Sequence, residues 1–157
     1  MTHEKFNVAN YKLNRIALVD DDQDDRLLFK EAFEELKIKA ELFLFSNGLN
    51  FIDHLSSGIK MLPELLFLDL NMPVMNGLEC LKYLRTNASF KDMFVAIYST
   101  STAITDLEST SKYGANMFIK KPNNFSELTY IINKSISIHF QHVVSGHNQG
   151  GQFPLIL

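Results

Sequence analysis

The chain has 157 residues, 46% of them hydrophobic, with 15 Lys+Arg against 18 Asp+Glu for a net charge of −3. That length suits one domain with enough core to fold without a disulfide or metal staple. The ordinary composition excludes wholesale disorder, and the mild acidity excludes a general attraction to nucleic acid or anionic membrane.

The first 13 residues hold no long apolar run, so they read as a short leader rather than a secretory signal. From residue 14 to residue 140 two kinds of segment alternate. Short apolar runs stand at 16–19, 42–45, 65–68, 94–98 and 117–119. Runs this short, bounded by polar residues, suit strands buried on both faces. Between them the apolar residues take helical spacing. Residues 24–36 carry Leu28, Ala32 and Leu36 on one face, 49–55 carry Leu49, Ile52 and Leu55, and 78–84 carry Leu78, Leu81 and Leu84. Residues 103–113 are more polar, and 125–140 carry Leu128, Ile131, Ile132, Ile136 and Phe140. Strand and helix alternating five times predict βαβ units, a doubly wound parallel sheet and right-handed crossovers. Residues 141–157 are rich in Gly, Ser, Asn and Gln before an apolar end around Pro154, and read as a flexible tail outside the core. No run approaches the roughly 20 apolar residues of a membrane span. The single cysteine, Cys80, cannot form an internal disulfide and suits a reducing compartment, so the expected location is the cytoplasm.

The chemistry gathers at the predicted strand ends. Asp20, Asp21, Asp22, Asp24 and Asp25 follow the first strand directly. Capping of the next helix by Asp24 or Asp25 explains one or two of them. It does not explain Asp20 and Asp21, which sit where open parallel sheets bind ligands. Two carboxylates there suit a hard divalent cation. The third strand ends in Asp69, followed by a stiff Leu70-Asn71-Met72-Pro73-Val74-Met75-Asn76-Gly77 loop. The fourth ends in Ser99-Thr100-Ser101 and the fifth in Lys120-Lys121-Pro122, where the proline holds Lys121 extended. An acid pair, an acid, a hydroxyl and a cation together are what a phosphorylated carboxylate requires.

With these segments in this order, the sequence resembles the receiver domain of bacterial two-component response regulators, the family of the chemotaxis response regulator. The resemblance covers about residues 14–140. It rests on Ala17-Leu18-Val19-Asp20-Asp21, the Leu68–Gly77 segment, Ser99-Thr100-Ser101, Gly114-Ala115-Asn116 and Lys120-Lys121-Pro122. Spacing agrees too: 48 residues from Asp21 to Asp69, 30 more to Ser99 and 22 more to Lys121. Within the family it looks most like the single-domain members associated with bacterial phytochromes.

The resemblance implies a flavodoxin-like fold with five parallel strands in the order 2-1-3-4-5. It implies Asp69 as phosphoacceptor, and Mg²⁺ held by Asp20, Asp21, Asp69 and the backbone carbonyl of Asn71. Ser99 is the implied switching hydroxyl, Lys121 the phosphate partner, and Phe118 the ring that turns inward as Ser99 moves. Thr100 stands where alanine is common and is expected to narrow access to Asp69. The implied function is a stand-alone receiver phosphorylated by a sensor histidine kinase or phosphotransfer protein. It would signal through its fourth helix, fifth strand and fifth helix, with Thr105, Asp106, Glu108, Lys112 and Lys120 on that face. It would be no dedicated enzyme, having only weak self-catalysed phosphorylation and dephosphorylation, and no nucleic-acid or membrane partner; a homodimer is compatible. An Mg²⁺-dependent phosphatase of the haloacid-dehalogenase type uses similar groups, but carries its nucleophile after the first strand with a second acid two residues on, where this chain has Asn71. A pseudo-receiver that binds without being phosphorylated is the other alternative.

Overall fold

The computed structural model describes residues 13–58, 62–145 and 155–157. Its strands are β1 (Arg15–Val19), β2 (Glu41–Phe45), β3 (Leu65–Leu68), β4 (Phe94–Ser99), β5 (Met117–Lys120) and β6 (Leu155–Ile156). Its helices are α1 (Gln23–Glu35), α2 (Gly48–Ser56), α3 (Gly77–Thr86), α4 (Ile104–Lys112) and α5 (Phe125–Val144). The strands pair in parallel in the order β2-β1-β3-β4-β5-β6, so the expected 2-1-3-4-5 sheet is present and carries one further short strand at its β5 edge.

The sheet divides the core in two. Ala17, Val19, Leu66, Leu68, Val95 and Ile97 pack one way, against α2 and α3. Ile16, Leu18, Leu65, Phe67, Phe94 and Ala96 pack the other, against α1 and α5. All four residues of β3 are buried, as a central strand covered on both faces requires. Because the strands run parallel and in register, their carboxyl ends all fall on one edge of the sheet. Asp20 N donates to Phe45 O and Asp69 N to Val19 O, which fixes both carboxylates one residue beyond paired strands.

Three expectations change. The cap of α1 is Asp22, whose side chain accepts from Asp25 N, and not Asp24 or Asp25. Leu13, read as part of a leader, is buried in the α1/α5 side of the core; the rest of that leader lies outside the described residues. The tail is expected from residue 141, but α5 continues to Val144, with His139 and His142 both edge-on to Phe94, and residues 146–154 lie outside the described residues. Residues 155–157 then lie along β5, where Leu157 N donates to Phe118 O and Lys120 N to Leu157 O. An edge strand presents unpaired backbone groups, and a short extended segment satisfies them whatever the glycine content before it.

Candidate functional site

Three carboxylates, Asp20, Asp21 and Asp69, bring one ligand oxygen each to within 4.8 Å of one another. Asp20 and Asp69 are buried, and Asp21 is exposed. Lys121 enters from the end of β5, its Nζ 2.8 Å from Asp20 Oδ2, 2.9 Å from Asp25 Oδ2 and 3.5 Å from Asp69 Oδ2. Asp20 Oδ1 accepts from Asp22 N at 3.0 Å, and Arg26 Nη1 donates to the Asp20 carbonyl at 2.7 Å.

Electrostatics here are unbalanced. Burial pushes the Asp69 carboxyl up to about 7; Lys121 opposes the rise while Asp20 and Asp21 add to it. Burial likewise raises Asp20 above the ordinary carboxylate range, against its hydrogen bond to Lys121. Burial alone would lower Lys121, but its hydrogen bonds to Asp20 and Asp25 outweigh that and raise its pKa. Asp20 Oδ2 is buried, and Lys121 is its one close partner among the described residues. Three converging carboxylates, two of them buried with raised pKa values and balanced by one ammonium, fit a divalent cation.

The hydroxyl and the loops frame this centre. Ser99 is fully buried at the end of β4, its carbonyl accepting from Lys121 N at 2.8 Å and its Oγ from Ser101 N at 3.1 Å. Thr100 beside it is exposed. Phe118 is already inside, only 4% exposed, in the core cluster that Leu107 and Tyr113 of the α4 region join. Asn71 turns its backbone N–H to the Asp69 carboxylate. The loop carrying it closes against α3. Gly77 N donates to Leu70 O at 2.9 Å, and a Cβ on Gly77 would stand 2.1 Å from Asp69 O. Val74 in that loop has φ +69°, the left-handed region that strongly disfavours a β-branched residue.

The carboxylates, Ser99 and Lys121 singled out from sequence thus gather at the sheet's carboxyl edge. Asp25 belongs with them: read as a helix cap, it instead shares the Lys121 ammonium with Asp20. Arg26 reaches back to the Asp20 carbonyl, and only its place one turn into α1 signals this in the sequence. The Tyr98 ring lies 5.4 Å from the Lys121 ammonium, a placement its buried strand run does not signal.

The model of the response regulator receiver domain matches residues 16–133. The response regulator Rcp1 of Synechocystis is 28% identical over 117 residues, spanning 72% of this chain and 80% of that protein. The Mn²⁺-bound crystal structure of response regulator Rcp1 superposes with a TM-score of 0.69 at 25% identity, covering 90% of this chain and 99% of that one. The crystal structure of the phosphorylated cyanobacterial phytochrome response regulator RcpA gives 0.72 at 27% identity, covering 78% and 91%. Some other curated relatives are longer, and the chain spans 15–33% of three of them. These likenesses give the phosphatase alternative no support. With its sheet order, its carboxylates at the strand ends and these matches, the chain belongs to the response regulator receiver domain family.

Proposed function

We propose that this receiver domain accepts a phosphoryl group on Asp69 from a histidine kinase or phosphotransfer protein. The observation that carries the reading is the Asp69 carboxylate, buried at the end of β3 with Lys121, Ser99 and two further carboxylates converging on it. A carboxylate oxygen of Asp69 attacks the phosphorus of the donor's phosphohistidine. The P–N bond breaks, its electron pair stays on the imidazole nitrogen, which takes up a proton, and a P–O bond to Asp69 forms. Asp20, Asp21 and Asp69, with the Asn71 carbonyl, would hold Mg²⁺, which supplies charge neutralisation at the phosphoryl oxygens. Lys121 then exchanges part of its contact with Asp20 and Asp25 for a phosphoryl oxygen, and Ser99 Oγ donates to another. Phosphorylation and hydrolysis without a partner are slow side activities of the same groups.

The output reading is a shape change across α4, β5 and α5, with Phe118 repacking as Ser99 moves. The cytoplasm is the location this reading assigns. Residues 1–13 and the stretch after α5 stand apart from phosphoryl chemistry in it. Intact mass after incubation with Mg²⁺ and acetyl phosphate tests the core claim. Wild type gains one phosphoryl group, Asp69→Asn gains none, and Asp21→Ala loses Mg²⁺-dependent phosphorylation with its fold intact. A phosphorylated Asp69→Asn chain overturns it.

A further inference from the structure

The β4–α4 loop is tied by hydrogen bonds that phosphoryl chemistry does not itself use. Ser101 N donates to Ser99 Oγ at 3.1 Å. The Ser101 hydroxyl donates to Asp106 Oδ2 at 2.5 Å and accepts from Ala103 N at 3.2 Å. Ala103 is the residue before the first turn of α4 and has no side chain to cap it. The Ser101 hydroxyl instead takes the N–H of Ala103 itself, just ahead of the helix, and Asp106 in the first turn holds Ser101 in place. Ser101 thus joins Ser99, through its backbone N–H, to the start of α4, through its hydroxyl.

Apart from Leu107, which packs on the core beside Phe118, little else holds that end of the helix. Thr110, near its far end, is the one buried residue of α4, and Ile104 at its start is 68% exposed. A cavity of about 450 Å³ separates α4 from the β3–α3 loop, with Asn71, Met72 and Asn76 on one side and Asp106 and Thr110 on the other. A helix beside empty space is free to shift once its tie is released, since interiors resist motion mainly through close packing.

Motion of Ser99 toward Asp69 pulls its Oγ away from Ser101 N, and Ser101 cannot follow while Asp106 holds it. We propose that Ser101 and Asp106 form a latch that keeps Ser99 in its resting position. They are positioning residues that act through Ser99 and set how readily the chain enters its phosphoryl-bound state. This rests on the phosphoacceptor reading of Asp69. A tie present in one of two states lowers affinity for whatever selects the other.

The test is titration of the full chain with beryllofluoride in Mg²⁺, followed by amide NMR shifts of Phe118 and residues 103–113. Ser101→Ala and Asp106→Ala bind beryllofluoride about tenfold more tightly than wild type, equivalent to about 1.4 kcal/mol. Ser101→Thr, which keeps the hydroxyl, binds as wild type does. The double variant gains no more than either single one, because the two residues act as one tie. Without beryllofluoride, the Phe118 amide of each alanine variant shifts part of the way toward its bound position. Unchanged or weaker affinity in folded variants overturns the latch. Loss of folding in both does so too, since a tie specific to one state is not required for the fold. Absence of beryllofluoride binding by wild type overturns the phosphoacceptor reading, and the latch with it.

Discussion

Replacing Gly77 by alanine sets one methyl group against the backbone of Asp69. An added Cβ would lie 2.1 Å from Asp69 O and 2.8 Å from Leu70 Cα, both main-chain atoms. Carbon–oxygen contacts relax only near 3.3 Å, so something must move by roughly 1.2 Å. Either α3 recedes and loses the Gly77 N–Leu70 O hydrogen bond, or the Asp69 peptide turns and takes its carboxylate along. Overpacking costs about 1–3 kcal/mol and the hydrogen bond about 1 more, or roughly 2–4 kcal/mol in all. At about 2–4 °C per kcal/mol for a chain of this size, the midpoint of thermal unfolding falls by roughly 4–16 °C. A displacement near 1 Å at a reacting group costs on the order of 100-fold in rate, so phosphorylation by acetyl phosphate slows by about that factor. Gly58→Ala is the control: its φ is +82° with nothing within 4 Å of an added Cβ, so it carries only the backbone penalty, about 1 kcal/mol. Calorimetry and mass-resolved phosphorylation of both variants make the measurement. Gly77→Ala melting within 1 °C of wild type and phosphorylated at the same rate would refute the argument from contact.

In chelator, Asp69 makes stability fall as pH rises. Its folded pKa, about 7, lies above the ordinary 3.8, so its contribution is complete below pH 3.8 and lost as pH climbs through 7. That contribution is at most about 4 kcal/mol, taking roughly three pH units at 1.36 kcal/mol each; urea midpoints for Asp69→Asn should show a flatter pH profile, and an unchanged slope refutes this. Val74→Gly relieves a left-handed valine that is 82% exposed, so it raises the melting point by roughly 1–4 °C despite the greater chain entropy of glycine. A lower melting point would show that the valine contributes packing. Arg85 donates to the carbonyls of Lys91, Met93 and Gly114 and to Asn116 Oδ1, at 2.7–3.0 Å. Arg85→Ala leaves these acceptors without it and is expected to cost about 2–4 kcal/mol by chemical denaturation; a loss below about 0.5 kcal/mol would mean water replaces it.

The strands were legible because β3 and β4 are covered on both faces, and continuous apolar runs such as Leu65–Leu68 have few other uses. Helix ends were less so. The polar composition after Phe140 suggested a stop, yet His139 and His142 pack on Phe94 and carry α5 to Val144. Asp20, Asp21, Asp69, Ser99 and Lys121 stood out because polar residues directly after buried strands ask for a reason. Asp25 did not, since an acid in a first turn already has an ordinary explanation, and only the fold shows that Lys121 comes to meet it. The two residues of β6 have no periodicity to read, and nothing about a valine announces φ +69°. That angle is imposed by the loop around it, with Met75 N donating to Pro73 O across Val74 at 2.8 Å.

The guanidinium of Arg85 also decides how α4 can move. Its two bonds to the Gly114 carbonyl anchor the chain two residues beyond the end of that helix to α3. Thr110 and Ala115, buried on either side, secure the same end. The helix is therefore a lever whose fulcrum lies away from the carboxylates and whose arm, nine residues long, measures about 14 Å at 1.5 Å per residue. Rotation about that fulcrum moves Ile104 the most and Lys112 the least. A few degrees of swing shift the far tip by about an ångström, the scale of a single hydroxyl changing partners, so a small event beside Asp69 becomes a visible change at an exposed apolar side chain.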